Sequence, residues 1–223
     1  MKLYGSLASP YVARCWLTVA AKGGGADLEA YEGGIKSDSY LAMNPMGKMP
    51  LLVDGKTSIP ESGVICEYLD QTLPGPALIP TYAAGQARVR LLCRVADLYL
   101  FPPAVSLLRL PKDGDADAIQ TAKANTVAAF GYVEHFLPDT GFAYGNSLTL
   151  ADVTLHGAVG LAVLVLGNHG MSGRFDGRPK LAKWWGAINE NPTLKPTLDQ
   201  IQQTVLEFRQ RREAEAAAKK AGG

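Results

Sequence analysis

Three short stretches carry residue types that could do chemistry. The first, SLASPYVAR at 6–14, sets Ser6 and Ser9 where a short strand hands over to a helix. A serine at a helix entry ordinarily caps it, and its hydroxyl can equally serve an anion held at the positive helix end. The second, MGKMPLLV at 46–53, puts Met49 directly before Pro50 at a strand entry. X-Pro is the one bond where cis is cheap, and proline is tolerated at a strand's first residue. A cis bond would present the Met49 N–H and C=O to an extended peptide laid alongside as an added strand. A trans bond would make this an ordinary strand start, and both readings stay open. The third, IPESGVICEYLD at 59–70, places Glu61 and Ser62 at a helix start. Ser62 is an N-cap by residue type. Free N–H groups in that first turn suit a ligand carboxylate, and Glu61 suits an ammonium. Together they fit an amino-acid-like group carrying both charges.

Two other motifs read as structure. DGKTS at 54–58 contains the GKT of a phosphate loop, but Pro50 stands where the leading glycine is required, so nucleotide binding is rejected there. In SLTLADVTL at 147–155, Thr149 and Asp152 have the spacing of a capping box that starts a helix.

The elements that must position these residues change type at about residue 72. Before it, KLYG (2–5) and LEAYE (28–32) read as strands, and residues 11–22 carry apolar positions at helical spacing. PLLVDGKTSI (50–59) is a hairpin signal with Asp54-Gly55 at the turn, and residues 62–72 form an amphipathic helix. With a brief helix or loop near 37–43 the order is β-α-β-α-β-β-α, an α/β unit on a small mixed sheet. LPGPALIP (73–80) breaks the pattern with three prolines and a glycine. Beyond it the spacing predicts only helices, at 84–110, 116–136, 150–167, 178–190 and 194–216, with Pro102 and Pro103 kinking or splitting the first. The expected organisation is an α/β domain over 1–74, a linker over 75–84 and an all-helical domain over 85–223.

Composition bounds the function. The chain has 223 residues, 47% hydrophobic and 19% charged, enough for a packed core and unlike a disordered protein. A net charge of +1 provides no global field toward nucleic acid or an anionic membrane, so the expected partner is a small molecule or a folded protein. Cys15, Cys66 and Cys93 are far apart and odd in number, and the three histidines lack ligand spacing. Reduced thiols in a cytoplasmic protein are expected, with no metal. Lys2 ahead of apolar residues imitates a secretory signal, but Arg14 interrupts the run. The apolar stretch GAVGLAVLVLG (157–167) is too short to span a bilayer, so no membrane partner is expected.

Taken in order, SPYVAR, the Met49-Pro50 step and ESGVICEYL resemble the cytosolic glutathione transferases, and the resemblance covers the whole chain. SPYVAR is similar to the tau-class pattern of serine, proline, aromatic, then arginine five after the serine; the phi and zeta classes also place a serine there. The segment between Asn44-Pro45 and Met49 is one residue shorter than the usual tau pattern, and the double-serine-cysteine motif of the zeta class is absent. The resemblance implies a thioredoxin-like domain followed by a helical bundle, with glutathione as co-substrate. Ser9 would donate to the glutathione sulfur, Lys36 and Lys48 would meet its glycine end, Met49 would pair with its cysteinyl residue beside a cis Pro50, and Glu61 and Ser62 would bind the γ-glutamyl end. It also implies a homodimer and a role in detoxification. The electrophile would sit between the domains, against Leu7, Tyr11, Tyr99, Phe101 and Val105, with Phe208 joining if the last helix folds back. Conjugation of aromatic or halogenated compounds, reductive ether cleavage, dehalogenation, glutathione-dependent isomerisation and non-catalytic ligand carriage are all compatible with this resemblance.

The residues themselves support thiolate activation. A free thiol titrates near ~8.5, and lowering that by about two units takes about 2.7 kcal/mol. A hydroxyl donating to a charged sulfur supplies about 1.5–3 kcal/mol, and a helix start adds about 0.3–1 kcal/mol. Ser9 is then a donor to the thiolate rather than a nucleophile. Serine cannot form a mixed disulfide, which disfavours thiol-transferase chemistry at that position. Ser6, Tyr4 and Cys15 are the rivals for its role.

Overall fold

The computed structural model describes residues 1–221. The first part runs β1 (Lys2–Tyr4), α1 (Pro10–Ala21), β2 (Asp27–Glu29), α2 (Asp38–Met43), β3 (Leu51–Asp54), β4 (Thr57–Pro60) and α3 (Ser62–Thr72), in the expected order. The four strands lie in the order β2-β1-β3-β4, with β1 parallel to β2 and both remaining pairs antiparallel. Asp54 pairs with Thr57 across a two-residue turn, and Gly55 adopts φ +58, a conformation that Gly tolerates without steric cost. Strand β2 is shorter than its sequence signal and ends at Glu29.

The second part is helical throughout: α4 (Ala83–Val95), a π-helical turn (Ala96–Leu100), α5 (Phe101–Arg109), α6 (Ala116–Phe136), α7 (Leu150–Asn168), α8 (Pro179–Asn189) and α9 (Lys195–Ala221). The split expected at Pro102 and Pro103 occurs one turn earlier. The prolines fall in the first turn of α5, where a missing N–H costs least, and the π turn takes up the misfit.

Helix α7 is the axle of the molecule. Its 19 residues, longer than the apolar run alone suggested, are long and apolar enough to cross a membrane. Here 78% of that apolar window is buried inside the protein, packed against α1, α4 and α5. At the crossing with α1, Gly157 lets the Pro10 carbonyl approach so closely that an added Cβ would lie 2.9 Å from its oxygen. Gly→Ala inside a helix ordinarily gains about 0.5–1 kcal/mol. Gly157→Ala is expected to lose about 1–3 kcal/mol instead, because two backbones must separate. Gly131→Ala in α6, where the new methyl meets open space, should show the ordinary gain. Urea midpoints of the two variants test the contrast; equal signs would mean the crossing is not tight.

A second packing feature sets an acid limit. His156 on α7 stacks on Trp185 at 4.9 Å, with Nε2 3.4 Å from the Asn189 Oδ1, and burial lowers its pKa to about 4. Unfolded, it takes a proton near pH ~6.5. Between those values the unfolded state binds the extra proton, so stability falls with pH and levels off below about pH 4. The expected loss is on the order of 3 kcal/mol. Denaturation midpoints from pH 7 to pH 4 should fall more steeply for the wild type than for His156→Gln.

Candidate functional site

A cavity of about 700 Å³ opens between the α/β part and the helices that follow it. One wall comes from the loop before β3 and the start of α3: Lys48, Met49, Pro50, Glu61 and Ser62. The facing wall comes from the π turn and α5, with Asp97, Leu98, Val105 and Arg109. Tyr11 and Arg14 of α1 also line it.

Local chemistry holds the first wall in place. The Tyr40 hydroxyl and the Asn44 amide both donate to the Lys48 carbonyl, at 2.6 and 2.7 Å, and both side chains are buried. Gly47 turns the loop at φ +56, and a Cβ there would lie 2.7 Å from the Lys36 Nζ. That close approach brings Lys36 to the same loop as Lys48. The Met49–Pro50 bond is cis, and the sheet ladder begins only at Leu51.

At the other end of that wall, Glu61 takes φ +69, a region unfavourable to residues with a side chain. It is tied on both sides, since Pro60 pairs with Leu51 and Ser62 opens α3. Ser62 departs from the expected N-cap: Glu61 holds that position, while the Ser62 hydroxyl is buried and accepts from the Arg14 Nη2 at 2.5 Å. The Arg14 Nη1 reaches Asp97 Oδ1 at 2.5 Å. Arg14 therefore links α1, α3 and the π turn beneath the cavity. Its guanidinium lies 5.7 Å from the ring centres of Tyr11 and Phe101, which stack on each other at 4.5 Å. Burial raises the Tyr11 pKa, with Arg14 and Arg109 opposing, so its hydroxyl stays a donor at neutral pH.

Of the residues singled out in the sequence, Tyr11, Lys48, Met49, Pro50, Glu61, Ser62 and Val105 line this one cavity. Ser9 and Lys36 are not among the residues that line it; Ser9 stands at the N-cap of α1, two residues before the lining residue Tyr11, and its side chain makes no capping bond. The expected double role therefore loses its capping half, and the hydroxyl is left uncommitted among the described residues. The Ser6 hydroxyl instead accepts from the Ala8 N–H, which ties it to the turn. Leu7 and Phe101 are core residues, not lining ones; Phe101 acts from behind, through Tyr11. Tyr99 is 55% exposed and meets Tyr132 edge-on at 5.8 Å. Phe208, 41% exposed, sits under Arg211 on the same helix. Both lie outside the cavity. Arg14, Asn44, Asp97 and Arg109 are site residues that sequence reasoning missed. For Arg14 the signal was present, as a charge on an otherwise apolar helix face.

Residues 3–77 match the family described as Glutathione S-transferase, N-terminal domain, and residues 95–192 match Glutathione S-transferase, C-terminal domain. A glutathione S-transferase of Pseudomonas putida is 31% identical over 173 residues, covering 74% of this chain and 78% of its own. Glutathione S-transferase 3 of Zea mays is 28% identical over 213 residues, covering 90% and 94%. Among solved structures, a tau-class glutathione S-transferase from mango superposes with a TM-score of 0.77 at 23% identity over 94% of this chain and 96% of its own, a likeness of fold.

Proposed function

The chain belongs to the glutathione S-transferase family, and on that premise we propose that it holds glutathione along the Met49–Glu61 wall and directs its thiolate at a hydrophobic, aromatic or halogenated electrophile. The observation carrying this reading is that a single cavity collects Met49, Glu61 and Ser62 from the α/β part with Tyr11, Val105 and Arg109. The Met49 N–H and C=O, lying ahead of the ladder, pair with the cysteinyl residue. The Glu61 carboxylate takes the γ-glutamyl ammonium. Ser62 accepts from Arg14, so its own hydroxyl proton is free to donate to the γ-glutamyl carboxylate beside the α3 N–H groups. Lys36 and Lys48 take the carboxylate at the glycine end. Ser9 donates its hydroxyl proton to the sulfur and keeps it anionic. That sulfur then bonds to the electrophilic carbon, the leaving group departs with its electron pair, and the Tyr11 hydroxyl donates to the developing negative charge.

On this reading residues 1–74 bind glutathione and residues 85–223 furnish the acceptor side. The three unpaired cysteines support a reducing, cytoplasmic setting. Exposed Leu91 and Tyr99 on α4 and the π turn, with Val64 and Leu98 at the cavity rim beside them, supply the apolar face of a homodimer. Calorimetry with glutathione tests the first step, and turnover of an aryl halide, an activated aryl ether and a cis-enedione tests the second. Uptake with turnover of the aryl halide is expected. No uptake at millimolar glutathione overturns the reading, and uptake with no turnover on any acceptor marks a ligand carrier.

A further inference from the structure

The cleft holds more positive charge than its own carboxylates and glutathione together can use. Five basic and three acidic residues line it. Two basic ones are already paired, Arg14 with Asp97 at 2.5 Å and Arg90 with Glu67 at 2.9 Å. Glu61 and Lys48 belong to the α/β wall, where the proposed seating of glutathione uses them for its ammonium and its glycine carboxylate. Arg94 and Arg109 are left over. Both are exposed, and neither has an ion-pair or hydrogen-bond partner among the described residues.

A cation in the last turn of a helix ordinarily serves the helix dipole, and Arg109 is the last residue of α5. Its neighbours give it a second part. Phe101, Val105 and Arg109 recur every fourth residue, so they form a stripe along one face of α5, with successive members about 6 Å apart along the axis. The Tyr11 ring stacks on the first member at 4.5 Å, while Val105 and Arg109 line the cavity with Tyr11. The Tyr11 hydroxyl has no hydrogen-bond partner among the described residues, and the Arg109 charge is felt there, favouring its ionisation. The acceptor side therefore offers an unengaged hydroxyl donor, an apolar step and an unengaged guanidinium in sequence along one wall. A neutral apolar molecule would leave the guanidinium to water. An aryl acid spans all three, with its ring over Val105.

We propose that Arg109 is a specificity-determining residue, which pairs with a carboxylate on the acceptor and so makes aryl acids the preferred electrophiles. This rests on the reading that the cleft directs a glutathione thiolate at an acceptor. The electrophilic carbon lies at the Tyr11 end of the stripe and the carboxylate at the Arg109 end, where the planar guanidinium can grip both its oxygens. The carboxylate is a handle and is unchanged by the reaction. The sulfur bonds to the ring carbon, and the halide leaves with its electron pair.

The test compares a chlorodinitrobenzoate with its uncharged carboxamide, each rate divided by the uncatalysed rate with glutathione, and follows glutathione uptake by calorimetry alongside. The wild type is expected to favour the acid about tenfold in kcat/KM, through a lower KM. Arg109→Leu should lose that preference. Arg109→Lys should keep part of it, because the charge remains without the fork, and Arg94→Leu should keep all of it. Equal turnover of the two acceptors by the wild type overturns the inference without any variant and leaves the transferase reading standing. A preference that survives in Arg109→Leu, or that only Arg94→Leu removes, does the same. So does weaker glutathione uptake in Arg109→Leu that slows both acceptors alike, since it would put the arginine on the tripeptide. Turnover of neither acceptor overturns the transferase reading and this inference with it.

Discussion

Replacing Ser9 by alanine is expected to raise the pKa of the bound glutathione thiol by about two units and to cut turnover near neutral pH at least tenfold. Affinity for glutathione should fall only modestly, because the proposed placement has the peptide held by Met49, Glu61 and Ser62. The effect is large because the hydroxyl has nothing else to do. It makes no capping bond to α1, while its rival Ser6 is engaged with the Ala8 N–H. Pro10 occupies the next position and has no N–H to offer. Ultraviolet titration of the enzyme–glutathione complex follows the thiolate directly. An unchanged thiolate band in Ser9→Ala removes Ser9 from the mechanism.

Asp152→Ala is expected to be the most damaging single change to stability. The Asp152 carboxylate is fully buried and accepts from four donors. Oδ1 takes the Ala143 N–H at 2.7 Å and the Trp184 indole at 2.9 Å; Oδ2 takes the Thr149 N–H and hydroxyl, both at 2.8 Å. Truncation strands those donors in the core, at a cost of about 3–5 kcal/mol. For a chain of this length that corresponds to a melting temperature lower by roughly 6–20 °C. Asp152→Asn should fall between, since an amide accepts through one oxygen only. Calorimetric melting of the three proteins decides it, and a loss under about 1 kcal/mol would mean water replaces the carboxylate.

Thr149 and Asp152 also show where sequence was sufficient. Their spacing in the chain announces a capping box, and the box is there. The hairpin at Asp54-Gly55 and the change from α/β to all-helical near residue 72 were legible for the same reason, since each depends on neighbours in sequence. What escaped depends on distant partners. Arg14 was visible as a misplaced charge, but Asp97 lies 83 positions away and Ser62 lies 48 away. Nothing local marks Ser62 as a buried acceptor rather than a cap. The meeting of the Cys15 and Cys66 sulfurs, 3.8 Å apart, was hidden likewise, because only the packing of α1 on α3 creates it. Tyr99 was misplaced for another reason. Aromatic spacing around it suggested the cavity wall, yet it falls in the π turn and packs edge-on against Tyr132 of α6, a partner 33 positions away.

The wider winding between Ala96 and Leu100 also bears on how this chain can change. In an ordinary helix each residue advances the direction by about 100°. The turn, closed by the bond from the Phe101 N–H to the Ala96 carbonyl, holds one residue more than an ordinary turn, and so dials the whole of α5 around its axis. Removing a single residue there would swing Val105 and Arg109 off the cavity wall and bring others round. Under the proposed function, acceptor choice would thus drift through chain length alone, while the α/β part stays as it is.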